Sequence, residues 1–296
     1  MNRRLFIPLG MCFFIALALF LSCAKNSNPQ PPVHDTVTVT KKDTLTDTLY
    51  ATKPDPTVNL NKGLLLYLPF SGNIADSSGN NNPTRAVGNV LTYDAHGYAN
   101  SAFGATGAGE KIYVTNNGSI KFDTAYSISF GFMVNNNGTV TYLSMVDPLT
   151  GRGPTFDIGT SLPVAPYRLD FGTEDITLGC GNYGLADNIN IVDTTTFIPV
   201  PGSWYNLIAI YHKGSALLYI NGNLIYSKKG LGTQSLLCPA SQILVGAWWD
   251  GDPQYFNGKL DNIRLYNRVL TPNEIIKLSS SYQVTSNSYK PAVRTN

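Results

Sequence analysis

Alternating apolar and polar positions run through most of the chain and predict many short β-strands. The clearest case has an aromatic or aliphatic residue at every second position from Tyr126 to Val134, with Ser127, Ser129 and Gly131 between the first four. Since side chains alternate between the two faces of a strand, this pattern predicts a strand with one buried and one exposed face. The stretches 64–70 and 204–211 are apolar at nearly every position, which predicts strands buried on both faces.

Turn residues separate these stretches. Asn221-Gly222 stands between two apolar runs, and this dipeptide favours the type I′ turn of a tight hairpin. The run Asn135–Gly138 predicts a second hairpin, which would lead from the 126–134 strand into a strand over 139–145. Only residues 272–279 have a helical period. We therefore predict an all-β fold, a two-sheet antiparallel jelly-roll sandwich with one short C-terminal helix.

The last predicted strand contains an irregularity. Leu260 has the opposite parity to Ile263 and Leu265, so the inward face of the strand must switch near Asp261–Asn262. A β-bulge produces such a switch. Asp261 is then an inward-pointing carboxylate that needs a partner.

The start of the helix is marked by three consecutive features. Thr271 is a suitable N-cap, Pro272 fits the first helical position, and Glu274 has the spacing of a capping box. Leu270 and Ile275 have the spacing of a hydrophobic staple, which would fix the helix against the body of the protein.

The first 61 residues differ from the rest of the chain. Residues 1–22 have two arginines followed by a long apolar run, as in a signal peptide, and the segment before Cys23 resembles a bacterial lipobox. This resemblance implies lipidation of Cys23 and anchoring to the outer membrane, facing the periplasm or the cell surface. The alternative is an uncleaved N-terminal membrane helix. Residues 23–61 are polar and rich in proline, which predicts an extended spacer or, alternatively, a strand added to the edge of the sandwich.

Two cysteines remain in the body of the chain, Cys180 and Cys238. In an oxidising compartment they could pair as a disulfide, whereas the alternative is two buried free thiols. Charged residues make up 14% of the chain and the net charge is +2, so the clustered positive charge of a nucleic-acid-binding protein is missing and no nucleic-acid partner is expected.

Several segments carry a family resemblance in their order along the chain. Residues 256–275 read Phe-Asn-Gly-Lys-Leu-Asp-Asn-Ile-Arg-Leu-Tyr-Asn-Arg-Val-Leu-Thr-Pro-Asn-Glu-Ile, and residues 64–82 read Leu-Leu-Leu-Tyr-Leu-Pro-Phe-Ser-Gly-Asn-Ile-Ala-Asp-Ser-Ser-Gly-Asn-Asn-Asn. Both resemble signatures of the laminin-G-like, concanavalin A-like lectin/glucanase superfamily. The likeness implies one β-sandwich domain over 62–285, followed by a tail at 286–296.

The resemblance also implies candidate site residues. In relatives, the loop equivalent to 76–82 packs beside the aspartate of the C-terminal signature, and the pair can hold a structural calcium. Carried over by position, the ligands would be Asp76, Asn82 and Asp261. The alternative is that Asp76 caps its own turn and Asp261 binds a backbone N–H or an arginine. Enzymes of the superfamily carry Glu-x-Asp-x-Glu, or a form one residue longer, on one strand. Since this sequence lacks that motif, we expect a protein that does not catalyse hydrolysis; the alternative is a glycoside hydrolase of the same fold with an unrecognised acid pair.

The segment from Trp248 to Tyr255 is the best candidate for a ligand-binding loop. Sugars stack their C–H faces on flat rings and direct their hydroxyl groups at carboxylates and amides. The segment offers both, through Trp248, Trp249, Asp250, Asp252 and Tyr255. We therefore expect a polysaccharide or other glycan as partner; the alternatives are a protein partner at a loop rim, or core packing of the tryptophans with a plain turn between them.

Overall fold

The computed structural model describes residues 58–161, 167–182, 197–229 and 232–282. The predicted signal peptide, Cys23, nearly all of the spacer and the tail 286–296 lie outside these residues, so their assignments remain predictions.

Two antiparallel sheets make up most of the described part of the chain, and the chain crosses between them several times. The larger sheet has the order β12-β11-β10-β6-β14-β4-β3, with β1 also paired to β14. Its strands are β1 (Leu64–Leu68), β3 (Leu91–Thr92), β4 (Ala102–Thr106), β6 (Ala125–Val134), β10 (Trp204–His212), β11 (Ser215–Ile220), β12 (Asn223–Lys229) and β14 (Asn257–Tyr266).

The smaller sheet has the order β2-β5-β13-β7-β8-β9. Its strands are β2 (Thr84–Val87), β5 (Lys111–Thr115), β7 (Val140–Val146), β8 (Phe156–Ser161), β9 (Arg168–Thr173) and β13 (Gln242–Val245). Aromatic and aliphatic side chains from both sheets fill one core between them. This confirms the predicted two-sheet sandwich, which is consistent with a jelly roll.

The two predicted hairpins have different outcomes. Asn221 and Gly222 both have positive φ and join β11 to β12, as a type I′ turn requires. The hairpin predicted at Asn135–Gly138 is wrong, because β6 and β7 lie in different sheets and this turn crosses between them. Asn135 marks the crossing, since its backbone N–H donates to Asn257 O at 3.0 Å. A polar turn of this composition fits either geometry, so sequence pattern alone does not distinguish them.

The half-exposed strand predicted over 126–134 is buried on both faces. Ser127 and Ser129, on the face expected to meet solvent, are at most 1% exposed. Ser127 Oγ donates to Arg268 O at 2.7 Å, and a side chain at Gly131 would collide with the ring of Tyr282. These positions are small because the C-terminal segment packs directly on them.

That C-terminal segment is the predicted helix, α1 (Pro272–Ser279), followed by a 3₁₀ turn that ends at Tyr282. The capping box between Thr271 and Glu274 is present, and Leu270 and Ile275 are both buried in one cluster on the outer face of the larger sheet. Arg268 holds the Glu274 carboxylate with two hydrogen bonds of 2.7 and 2.6 Å. Helix α1 therefore covers the outer face of the larger sheet.

The predicted bulge lies in β14. The register against β6 shifts between Asp261 and Arg264, and Asn262 has a φ of +51°. Residues 257–260 of β14 pair with β4, whereas residues after the bulge pair with β1 along the same edge. The bulge is thus the point at which β14 changes partner.

Asp261 is buried, but on the outer face of the sheet beneath Tyr282 rather than in the core between the sheets. Its Oδ2 accepts hydrogen bonds from Tyr282 Oη and Asn262 Nδ2, both at 2.9 Å, while Oδ1 has no hydrogen-bond partner. Burial raises the pKa of Asp261 to about 6 and outweighs the two hydrogen bonds, which lower it.

The first prediction concerns the contact between Gly131 and Tyr282. Gly131→Ala would place a methyl group within 2.2 Å of the Tyr282 ring, so we expect a loss of about 2 kcal/mol in the free energy of unfolding. Chemical denaturation measures it. Gly138→Ala is the matched control, since its added Cβ meets nothing closer than 4.0 Å; equal stabilities of the two variants would contradict the packing described here.

The second prediction concerns pH. Because the pKa of Asp261 is raised to about 6 in the folded state, its contribution to stability is complete below about pH 4 and is lost as the pH rises through 6. Relative to wild type, Asp261→Asn should gain on the order of 3 kcal/mol between pH 4 and pH 8. Denaturation at several pH values tests this.

Asp76→Asn is the control of opposite sign. The net pKa of Asp76 is lowered, so that carboxylate contributes stability that is lost as the pH falls. Parallel pH profiles for wild type and Asp261→Asn would show that Asp261 does not titrate in this range.

Candidate functional site

The segment Trp248–Tyr255, here called the Trp loop, crosses the outer face of the smaller sheet between β13 and β14. Strand β7 holds both of its ends. Ser144 Oγ donates to the carbonyl oxygens of Ala247 and Trp248, at 3.1 and 2.8 Å, and the Thr141 N–H donates to Gln254 O at 2.8 Å. The loop is therefore fixed on a rigid strand.

A buried cation anchors the middle of the Trp loop. Lys111 Nζ lies 2.6 Å from Asp250 Oδ1, and Tyr113 Oη donates to the same oxygen at 2.5 Å. Lys111 is buried, whereas Asp250 is partly exposed. Partial burial alone would raise the pKa of Asp250, but the hydrogen bonds and charge from Lys111 and Tyr113 bring it below its ordinary value. Burial lowers the pKa of Lys111, and its bond to Asp250 more than reverses that effect.

Aromatic rings surround this ion pair. Trp249 and Tyr255 pack against an outer-face cluster formed by Tyr113, Val146, Leu244 and Ala247. Arg85 lies 4.1 Å from the centre of the Tyr113 ring, and Lys111 lies 5.4 Å from that of Tyr255. A Cβ added at Gly251 would fall 2.2 Å from the Trp249 ring, so the loop folds closely around that ring. Flat rings and fixed charges thus meet on one surface.

The structure brings together three of the five predicted ligand residues, Trp249, Asp250 and Tyr255. Asp252 is exposed and forms a backbone bridge with Trp249. In a regular strand two adjacent residues face opposite sides, so one of the two tryptophans would enter the core. Instead Trp248 and Trp249 are both half-buried and outside the main core, because β13 ends at Val245 and the alternation rule no longer applies.

The disulfide is connected to the Trp loop through the turn before β8. Cys180 and Cys238 are bonded, with Cα atoms 5.4 Å apart, so the structure contains the disulfide rather than two free thiols. A Cβ at Gly153 would lie 2.6 Å from the Cys238 sulfur, which places the turn before β8 against the disulfide. Within that turn, Pro148 O accepts the backbone N–H of Asp250 at 2.9 Å.

The predicted calcium ligands serve other contacts. Asp76 accepts hydrogen bonds from the backbone N–H groups of Tyr67, Ser78 and Asn82, at 3.1, 2.9 and 3.0 Å. Partial burial would raise the pKa of Asp76, but these bonds outweigh it and lower the pKa. The Asn82 and Asn80 side chains donate to Leu65 O, both at 3.0 Å. The 76–82 loop therefore satisfies the free edge of β1 with its side chains.

This arrangement does not suit a calcium ion. Hard cations need oxygen lone pairs that are free, and both Asp76 oxygens already accept N–H donors. Asp261 is engaged by Tyr282 and Asn262 on one oxygen. Across the described ranges, no group of three or more His, Cys, Asp and Glu side chains has the arrangement of a metal site. The calcium assignment stays a prediction.

Sequence reasoning missed the partners of the Trp loop. Along β5, Ile112 and Val114 point into the core, and Lys111 and Tyr113 alternate with them. This alternation could have placed Lys111 and Tyr113 on the outer face. Sequence reasoning also missed Asp157 and Asp170, which sit in two similar pentapeptides on the same face. Nothing local in either pattern indicates which loop will cover these residues.

Comparison with known proteins identifies the fold class. A family model for the concanavalin A-like lectin/glucanases superfamily, of the laminin G type, matches residues 106–276. No curated protein matches the sequence significantly. Within the described residues, no helix is long and apolar enough to span a membrane.

Several solved structures are similar. Domain 4 of AbnA, a GH43 extracellular arabinanase from Geobacillus stearothermophilus, in complex with arabinotriose, has a TM-score of 0.55 at 19% identity, over 73% of this chain and 98% of that one. The binding domain of Paraclostridial Mosquitocidal Protein 1 has a TM-score of 0.54 at 19% identity, over 76% and 53%.

The receptor binding domain of botulinum neurotoxin mosaic serotype C/D has a TM-score of 0.54 at 17% identity, over 75% and 52%. The chain thus spans about half the length of these two toxin domains. At such identities the likeness shows the fold alone. Since the family model covers more than half of the sequence, the chain belongs to the concanavalin A-like lectin/glucanase superfamily.

Proposed function

We propose that this protein is a non-catalytic glycan-binding module that is tethered to a membrane. The observation that carries the proposal is the Trp loop fixed on the outer face of the smaller sheet beside the Lys111–Asp250 pair. A saccharide can stack on the rings of this surface and direct its hydroxyl groups at the charged side chains. The loop is held by β5 and β7, so the surface needs little ordering on binding.

The comparisons support a binding role. The arabinanase domain that resembles this chain was solved with arabinotriose, and the two toxin domains are named as binding domains. The missing Glu-x-Asp-x-Glu motif favours binding over hydrolysis. Release of reducing sugar from β-glucans would overturn the non-catalytic assignment.

The membrane tether rests on the N-terminal sequence. We propose an exported lipoprotein with lipid on Cys23, facing the periplasm or the cell surface, and the Cys180–Cys238 disulfide agrees with an oxidising compartment. Cys23→Ala should move the protein from the membrane fraction to the soluble fraction. Fractionation and mass spectrometry of the N-terminal peptide test this, and unchanged membrane retention would favour an uncleaved leader helix.

A second candidate function is binding of a protein partner. It is favoured by Tyr93 and Tyr98, which are 58% and 66% exposed on one loop. Asp94 fixes that loop by accepting the N–H groups of His96 and Tyr98, at 2.9 and 2.8 Å. Exposed aromatic rings on a rigid loop are typical of protein interfaces.

The glycan proposal predicts a specific pattern of affinities. On a glycan array, followed by calorimetry with the best ligand and with arabinotriose, Trp248→Ala and Trp249→Ala should lower affinity at least tenfold because they remove stacking area. Gly251→Ala should also weaken binding, since the added methyl group displaces the Trp249 ring while the ring is kept.

Tyr93→Ala and Tyr98→Ala are the matched controls, because they remove exposed rings elsewhere on the domain. They should leave glycan affinity within twofold of wild type. Full glycan affinity in the tryptophan variants, or no glycan bound by the wild-type protein, would overturn the glycan proposal. Loss of a protein partner in the tyrosine variants alone would favour the second candidate.

A further inference from the structure

Two strands of the smaller sheet carry similar pentapeptides, with aspartate, glycine and threonine at the same three positions. Residues 156–160 read Phe-Asp-Ile-Gly-Thr in β8, and residues 169–173 read Leu-Asp-Phe-Gly-Thr in β9. The two strands are antiparallel neighbours, with Asp157 opposite Gly172 and Gly159 opposite Asp170. In both pentapeptides the apolar residues and the threonine are buried. The aspartates and glycines therefore share the outer face.

This register brings the two carboxylates together. Asp157 and Asp170 are diagonal neighbours on one face, a separation of about 7 Å or less between Cβ atoms. The residue directly opposite each aspartate is a glycine. Neither glycine has a side chain that could lie between the two carboxylates. Gly159 has no space for a larger residue, since an added Cβ would fall 2.2 Å from Val140 O. Two ionised carboxylates close together on one face repel each other, which favours protonation of one of them.

Asp157 has an unsatisfied acceptor. Its Oδ1 is closed to solvent and has no hydrogen-bond partner, although the residue as a whole is partly exposed. A buried oxygen in this state requires a shared proton, a water molecule or a ligand. Burial, and then the charge of Asp170, raise the pKa of Asp157 well above its ordinary value, against the hydrogen bond from Thr141. Protonation of Asp157 beside a charged Asp170 is consistent with both observations.

The carboxylate pair borders the Trp loop. Ser144 pairs directly with Asp157 across β7 and β8, and the Ser144 hydroxyl donates to the carbonyl oxygens of Ala247 and Trp248. The two side chains share the outer face, with Cβ atoms about 5 Å apart. The aspartates and the tryptophans therefore lie on one continuous surface.

We propose that Asp157 and Asp170 form the polar floor of the saccharide site, and that together they accept and donate hydrogen bonds to hydroxyl groups of a neutral glycan stacked on the Trp loop. This inference rests on the proposed glycan function. A protonated carboxyl donates and an ionised one accepts, so a singly protonated pair matches the mixed donor and acceptor character of a sugar diol. A doubly ionised pair would instead select cations.

Calorimetry tests the proposal with neutral oligosaccharides from the array and with arabinotriose. Asp157→Asn and Asp170→Asn keep the shape of the side chains but fix which atoms donate, so each should lower affinity at least tenfold. Asp94→Asn is the matched control, because an asparagine oxygen can still accept the turn N–H groups. It should bind as wild type does.

A second measurement detects protonation of Asp157 without a ligand. Since the pKa of Asp157 is raised in the folded state, wild-type stability falls as the pH rises through that pKa. Asp157→Asn should remove this loss, and Asp170→Asn should reduce it, because the neighbouring charge is gone. Denaturation from pH 4 to pH 9 measures the three profiles.

The outcomes separate the two claims. If both asparagine variants bind the glycan as tightly as the wild type does, the role of the aspartate pair is overturned and the glycan function stands. No binding by the wild-type protein would overturn both. Identical pH profiles for the wild type and Asp157→Asn would show that Asp157 is not protonated in this range. If calcium binds more tightly than any saccharide, and either variant loses that binding, the neutral ligand is wrong.

Discussion

The bulge at Asp261–Asn262 is the constraint on which the larger sheet depends. One edge of β14 must pair with β4 before the bulge and with β1 after it. A regular strand could not place both Leu260 and Ile263 in the core, because they differ in parity, yet both are buried there. The bulge resolves this conflict, and Tyr67 Oη fixes it by donating to Asn262 Oδ1 at 2.8 Å.

The two outer faces of the sandwich are used differently. On the larger sheet, α1 and Tyr282 press on small residues of β6 and leave a covered, structural surface. On the smaller sheet, the outer face carries charges, aromatic rings and the paired aspartates beside the Trp loop. Each face also buries a carboxylate whose Oδ1 has no hydrogen-bond partner, Asp261 under Tyr282 and Asp157 beside Asp170. On the smaller sheet that carboxylate lies on the same face as exposed charges and aromatic rings, an arrangement that is typical of functional surfaces.

Sequence pattern predicted the features that depend on neighbouring residues. The capping box at Thr271, the type I′ turn at Asn221-Gly222 and the bulge were all readable, because each is set by residues close in sequence. The crossing at Asn135–Gly138 was mistaken for a hairpin, since a turn sequence does not encode which sheet follows it. Ser127 was assigned to solvent because its cover, the segment at Arg268, lies 141 positions away.

The same limit applied to the site. Asp250 was selected from its loop, but its partners Lys111 and Tyr113 lie 139 and 137 positions earlier, so only the fold could join them. The paired aspartates had a local signal in their similar pentapeptides, yet their proximity depends on the register between β8 and β9. Disulfide pairing likewise needed a distance that spacing does not supply.

The placement of β14 has a consequence for folding. Strands β1 and β4 both hydrogen-bond to a strand that lies much later in the sequence. This part of the larger sheet therefore cannot close before β14 has been made, and it closes through contacts between distant segments, which slows folding. Strand β4 can pair with β3 before then, whereas β1 must wait for β14.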